Sequence, residues 1–199
     1  LFKQKKALSF IAILLLSIGV GAKINIPVSE EKQVLCQEIY KKMVNEHFFN
    51  DKDLTSINSE IFDALVDQLD SQKIYFTENE MASFKKKYSR FDDSTSYQKK
   101  YLKASLCSID LKSEFAFINL YFNRLIEATN YQLKEVSKKN FDFTKEEIIL
   151  IDDDQKKWQK NKFELRKVWR RLAKNDVLTS ILADKELDEA TETIEKRYK

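Results

Sequence analysis

Apolar residues recur three to five positions apart through most of the chain, with charged and amide residues between them. Val34, Leu35, Ile39, Met43 and Val44 mark a helix over about 30–48. Ile57, Ile61, Phe62, Leu65, Val66 and Leu69 form an i, i+4 stripe that predicts a second over about 56–69. Met81, Phe84 and Tyr88 carry a third, about 78–90; the polar break Asp92-Asp93-Ser94-Thr95-Ser96 separates it from a short helix near 97–107, and Asp110 can cap the next. That next helix, about 111–138, has Leu111, Phe115, Ile118, Phe122, Leu125, Ile126, Thr129, Leu133 and Val136 on one face and Phe117, Leu120, Tyr121 and Tyr131 on others. It reads as a central helix with neighbours on several sides, about 42 Å long at 1.5 Å per residue. Charged stretches broken by Trp158, Phe163, Val168, Trp169, Leu172 and Ile181 then give two final helices, about 161–183 and 187–198.

The residues that would interrupt helices are missing. Gly19, Gly21 and Pro27 are the only glycines and proline, so residues 28–199 contain neither. A sheet protein needs Gly-containing hairpin turns; the pattern therefore predicts an all-α domain of about seven helices packed irregularly around the long one. Two stretches look like complete helix starts. In Phe76-Thr77-Glu78-Asn79-Glu80-Met81, Thr77 can cap, Glu80 can reach back, and Phe76 can pack on Met81, a capping box with a hydrophobic staple. Phe143-Thr144-Lys145-Glu146-Glu147-Ile148 repeats the pattern, with Thr144 as cap and Glu147 as its partner. No other internal repeat is visible, which argues against a helical solenoid.

The first 22 residues stand apart. Lys3, Lys5 and Lys6 precede an uncharged run from Ala7 to Val20, and Val20-Gly21-Ala22 fits a secretory cleavage pattern. The run is short of the roughly 20 apolar residues that span a bilayer, which favours cleavage between Ala22 and Lys23. An uncleaved inner-membrane anchor is the alternative, since a bilayer can thin around a marginal span. Cys36 is too distant for lipoprotein-type cleavage. Three of the 35 basic residues and none of the 32 acidic ones lie before Lys23, so the rest of the chain is formally neutral. Nucleic-acid binding, which needs a basic face, is not expected. In an exported protein Cys36 and Cys107 can either pair or stand as two small buried residues.

Candidate chemistry is thin. His47 is the only histidine and has no ligand-spaced partners, so no metal site is expected. Asp152-Asp153-Asp154 lacks the alternating ligands of a calcium loop and reads as helix-start electrostatics. In Arg166-Lys167-Val168-Trp169-Arg170-Arg171, Trp169 aligns with Leu165, Val168 and Leu172 toward a core while the cations form a solvated face. Ser71 and Lys73 raise the possibility of a Ser/Lys dyad, which requires a neutral lysine beside a nucleophile and backbone donors for an oxyanion. Nucleophile turns of that kind depend on Gly, and both residues fall in a connector. No catalytic residue and no cofactor is expected.

Four local motifs carry a resemblance. Leu65-Val66-Asp67-Gln68-Leu69-Asp70-Ser71-Gln72-Lys73-Ile74-Tyr75-Phe76, Phe141-Asp142-Phe143-Thr144, Trp169 through Leu178, and Lys196-Arg197-Tyr198 are similar, in order and spacing, to the N-terminal helical domain of tail-specific (carboxy-terminal processing) proteases. The resemblance runs from about Leu35 to Lys199. It implies a periplasmic Ser/Lys endopeptidase built from a signal peptide, this helical domain, a PDZ domain that binds substrate C-termini, and a peptidase core. Protein substrates and a helical-repeat lipoprotein adaptor are the implied partners. The chain stops about where the PDZ domain is expected, so the family's catalytic positions are absent. Ser71 departs from an expected Pro, and Leu1 in place of Met suggests a fragment or an unusual start codon.

Two readings follow. In the first, residues 23–199 are the non-catalytic helical domain of such a protease, truncated or given as a fragment, inactive alone, framing the protease and governing access. In the second, the chain is a free-standing periplasmic interaction or adaptor protein with no enzymatic activity. The DNA downstream of codon 199 separates them.

Overall fold

A computed structural model describes residues 23–46, 54–89, 111–150 and 156–199. Among the described residues there are six helices: α1 (Glu30–Glu46), α2 (Leu54–Asp70), α3 (Glu78–Ser89), α4 (Lys112–Ser137), α5 (Lys162–Leu182) and α6 (Leu187–Tyr198). The only β pairing among them is an isolated parallel bridge between Thr77 and Gln159. The domain is all-α, as the periodicity predicts. The short helix near 97–107, the cap Asp110 expected for the helix after it, and Asp152–Asp154 lie outside the described residues, as do His47 and the leader through Ala22.

Long helix α4 serves three cores in succession. Near its start, Phe117 joins Phe62 and Val66 of α2, Phe76 of the connector and Met81 of α3. Phe117 stacks on Phe76 with ring centroids 4.7 Å apart, and it meets Phe62 and Phe84 edge-on at 5.2 and 5.0 Å. In the middle, Ala128 packs on Leu165 and Trp169 of α5; at the end, Val136 packs on Ala173 and Val177 of α5 and Ala190 and Ile194 of α6. Accordingly α4 contacts α5 and α6, α5 contacts α6, and α2 contacts α3.

The buried face of α4 differs from the one its apolar residues predict. Of the expected stripe only Val136 is buried; Phe115, Ile118, Phe122, Leu125, Ile126, Thr129 and Leu133 are half-exposed. The deepest positions are Phe117, Arg124, Ala128, Glu135 and Val136. Arg124 and Glu135 read as polar in sequence, yet both are enclosed because their charges are paired.

Helices end without glycine by placing other residues in the left-handed region. Lys73, Lys139 and Asp184 have φ of 53°, 50° and 62°. Each donates its backbone N–H to the carbonyl three residues earlier, of Asp70, Val136 and Ile181 respectively. For a residue with a Cβ this conformation costs about 1–2 kcal/mol.

The second predicted helix start is not one. Residues 143–145 form a turn, and 146–150 have no regular structure. Asp142 Oδ1 accepts both the N–H and the hydroxyl of Thr144, at 3.0 and 2.6 Å. Glu147 is drawn away to Lys174, 2.7 Å distant, and Ile148, which would have been the staple, is 76% exposed. A local Asp acceptor and a tertiary ion pair thus take the groups a capping box would use.

Two features hold the N-terminal part. Ile24 N–H donates to Asn123 Oδ1 (2.8 Å) while Asn123 Nδ2 donates to Ile24 O (2.7 Å). Asn119 does the same for Ile26, at 2.7 and 3.1 Å. Cys36 on α1 is disulfide-bonded, and Cys107 lies outside the described residues.

Candidate functional site

The connector from Asp70 to Glu80 is the point at which four segments meet. Asp70, ending α2, is 2% exposed. Its Oδ1 accepts the N–H groups of Ile74 (2.7 Å) and Tyr75 (3.1 Å), and its Oδ2 accepts those of Phe76 (3.2 Å) and the Trp158 indole (3.2 Å). From α5, Trp169 Nε1 donates to Ile74 O at 2.7 Å. From α4, Arg124, also 2% exposed, donates through Nε to Tyr75 O (2.9 Å), Nη1 to Glu127 (2.6 Å) and Nη2 to Glu80 Oε1 (2.6 Å). The other Glu80 oxygen accepts the N–H and hydroxyl of Thr77 at 2.8 and 2.9 Å, while Glu80 N–H donates to Thr77 Oγ1 at 3.3 Å. Thr77 and Glu80 therefore start α3 with reciprocal bonds and tie that start to α4. The bridge to Gln159, through Glu78 N–H at 2.9 Å, adds the segment before α5.

Burial raises the Asp70 pKa, although its four hydrogen bonds oppose that effect. Tyr75 is pushed up to about 12, first by burial and then by repulsion from Tyr121 and Asp70. At Glu127 burial is outweighed by the charges of Arg124 and Lys162 and by hydrogen bonds from Arg124 and Arg166, so its carboxyl titrates below its usual range.

The Asp70, Arg124, Thr77 and Glu80 side chains all hold backbone or another hub residue, and none is a poised nucleophile. Ser71 is exposed on the turn. Lys73 Nζ donates to Lys156 O at 2.8 Å and sits 5.5 Å over the Trp158 ring, so it serves the connector's packing. Among the described residues no cluster of His, Cys, Asp and Glu is suited to hold a metal ion.

Beside the hub a cavity of about 360 Å³ lies between the connector, residues 148–150 and α5, with Ile74, Ile148, Ile149, Leu150, Val168 and Leu172 among its lining. Arg171 shapes it by donating to Ile148 O at 3.0 Å. Its size is that of a small ligand pocket. The cations of α5 are more than a solvated face: Arg166 reaches Glu127, Arg170 lies near Glu135 and Glu147, and the 6%-exposed Lys174 bonds Glu147 and Lys145 O. The hydrogen bond from Lys174, followed by the charges of Lys174 and Arg170, lowers the Glu147 pKa against a smaller effect of desolvation.

Of the residues singled out by sequence, Thr77 and Glu80 enter the hub, Thr144 and Glu147 sit at the α5 ion pairs, and Lys23 is exposed just before the Asn-held segment. Sequence reasoning missed Asp70, Arg124 and the paired roles of Trp158 and Trp169. A partial signal existed: Asp70 opens a glycine-free turn whose unpaired N–H groups need an acceptor, and indole N–H groups seek partners when buried.

Residues 39–199 match the family described as the tail specific protease N-terminal domain. The chain is 24% identical over 177 residues to the tail-specific protease of Haemophilus influenzae, an alignment covering 88% of this chain and 24% of that protein. It thus spans about a quarter of the length of that relative. The match contains the whole Asp70–Glu80 connector and the two helices that close on it, α4 and α5. By that match the chain belongs to the family of tail-specific protease N-terminal domains.

Proposed function

We propose that this chain is the non-catalytic helical domain of an exported serine endopeptidase that processes or degrades proteins from their C-terminal tails. The observation that carries this reading is the family match over residues 39–199, joined to a hub whose polar groups are used for positioning. In this role the domain works in the periplasm as a rigid frame around PDZ and Ser/Lys peptidase domains. It helps to govern access of protein substrates, and it offers surface to a helical-repeat lipoprotein adaptor. A leader cut between Ala22 and Lys23 would deliver it there, and N-terminal sequencing of the exported product should begin at Lys23.

Incubating the purified chain with an unfolded substrate bearing an apolar C-terminus should give no cleavage. Cleavage abolished by Ser71→Ala would overturn the non-catalytic reading, and cleavage that survives it would locate an active site elsewhere in the chain.

A further inference from the structure

The N-terminal segment is held in a manner that suits more than one occupant. Asn119 and Asn123 are four residues apart on α4, an advance of about 6 Å. Ile24 and Ile26 are two apart on the segment they hold, an advance of about 6.6 Å if it is extended. The spacings match, and the segment runs antiparallel to the helix, Ile24 on Asn123 and Ile26 on Asn119. Each Asn side-chain amide accepts from the N–H and donates to the C=O of one residue, the pair of bonds that a neighbouring strand would supply. Asn123 Nδ2 also donates to the backbone carbonyl of Asn119 at 2.6 Å, which fixes its side chain against the preceding turn of α4. Exposure alternates along the segment: Lys23, Asn25 and Pro27 are exposed, Ile24 and Ile26 half-buried.

Such a clamp reads backbone. Its chemical demands are an N–H at both held positions, which excludes Pro there, and apolar side chains at those same two positions. The one side-chain contact from the clamp to the segment, Asn119 Nδ2 to Asn25 Oδ1, is long at 3.5 Å. The hold is also modest: four hydrogen bonds and two half-buried isoleucines.

We propose that the Asn119–Asn123 face of α4 is a binding site for an extended apolar segment of an unfolded polypeptide, filled in cis by Ile24–Ile26 and open to exchange in trans. The cis segment acts as a competitor at an effective concentration of about millimolar, as expected for a short tether. It keeps the site covered until a segment with suitable alternation displaces it.

The test uses the full chain and the fluorescein-labelled peptide acetyl-Lys-Ile-Asn-Ile-Pro-Val-Ser, followed by anisotropy. A chain carrying Ile24→Ser and Ile26→Ser has a weakened tether segment and an intact clamp, and it should bind the peptide at least about tenfold tighter than the unaltered chain. Adding Asn119→Ala and Asn123→Ala should abolish that gain. A peptide with Val for both Ile should bind within about threefold, whereas Pro at either position should prevent binding. No gain on weakening the segment, or a gain indifferent to the two asparagines, would overturn the proposal; so would a strict requirement for the chain's own isoleucines. Asn123→Asp keeps the shape and the acceptor but loses the donor, so it serves if the alanine variants lose their circular-dichroism signal. Hydrogen exchange on the unaltered chain gives an independent reading. The Ile24 and Ile26 amides should exchange well before those of α4, and equal protection would mean that the segment never leaves.

Discussion

At Asp70 two carboxylate oxygens satisfy three backbone N–H groups and one indole N–H, all withdrawn from water. Removing the acceptor leaves those donors orphaned, at about 1–3 kcal/mol for each buried group. Asp70→Ala should therefore destabilise the domain by at least about 3 kcal/mol in urea unfolding. Asp70→Asn should cost less, because one carbonyl oxygen can still serve Ile74 and Tyr75. The pH behaviour of the hub has two opposite components. The raised Asp70 pKa means that the folded chain holds this proton more tightly than the unfolded chain, so its contribution to stability falls as pH rises through the raised value. Glu127 is lowered from 4.5; its contribution is complete above that value and is lost as pH falls through the lower folded pKa. The stability gap between the unaltered chain and Glu127→Gln should thus narrow between about pH 7 and about pH 3, and a gap that holds constant would contradict the assignment. Of these groups only Thr77 and Glu80 were legible in sequence, because capping is a local pattern. Arg124 was not, since besides the local Glu127 its partners in the connector and α3 lie 49 and 44 residues away.

At the scale of the elements, the two capping motifs offer a direct comparison. Thr77→Ala should cost about 1 kcal/mol, as for other caps. Thr144→Ala should cost less than about 0.5 kcal/mol, the usual range for an exposed site outside such features. Chemical denaturation of both variants checks the pair, and equal losses would show that a helix does start at Thr144. The two sequences are alike in the residues a cap requires; what separates them is Asp142 on one side and the Lys174 ion pair on the other, the latter invisible in a local window. Helix ends give a further prediction. Asp184 adopts φ 62° without an ion pair or side-chain hydrogen bond among those described, so Asp184→Gly should gain about 0.5–1 kcal/mol by relieving the left-handed strain. Lys73→Gly should gain little, because it forfeits the bond to Lys156 O and the contact with Trp158. The helix boundaries themselves were readable to within two residues for all six described helices, since each combines apolar periodicity with a polar break.

For the whole molecule, the sequence made the class and the central role of α4 plain but not the face by which α4 meets its neighbours. Hydrophobic counting assigns a stripe to the residues that are most apolar, whereas burial here follows paired charges and the small residues Ala128, Ala173 and Ala190 that let helices approach. The disulfide at Cys36 acts on this scale. A disulfide constrains the unfolded chain, typically by about 2–4 kcal/mol in the chain-entropy account, so reduction should destabilise the domain. Intact mass without reductant should be lower by about 2 Da, and alkylation should require reduction first. The hub also bears on the order of events during synthesis. Its closing bonds join residues 88 and 95 positions apart, from Trp158 to Asp70 and from Trp169 to Ile74. Until Trp158 and Trp169 have emerged, Asp70 Oδ2 and the Ile74 carbonyl lack the indole donors that seal them, so a chain made from its N-terminus carries an unfinished hub for most of its synthesis. In the proposed exported role, where the chain is threaded through a narrow channel before it folds, that delay is useful, because the hub locks only when the last third of the chain arrives.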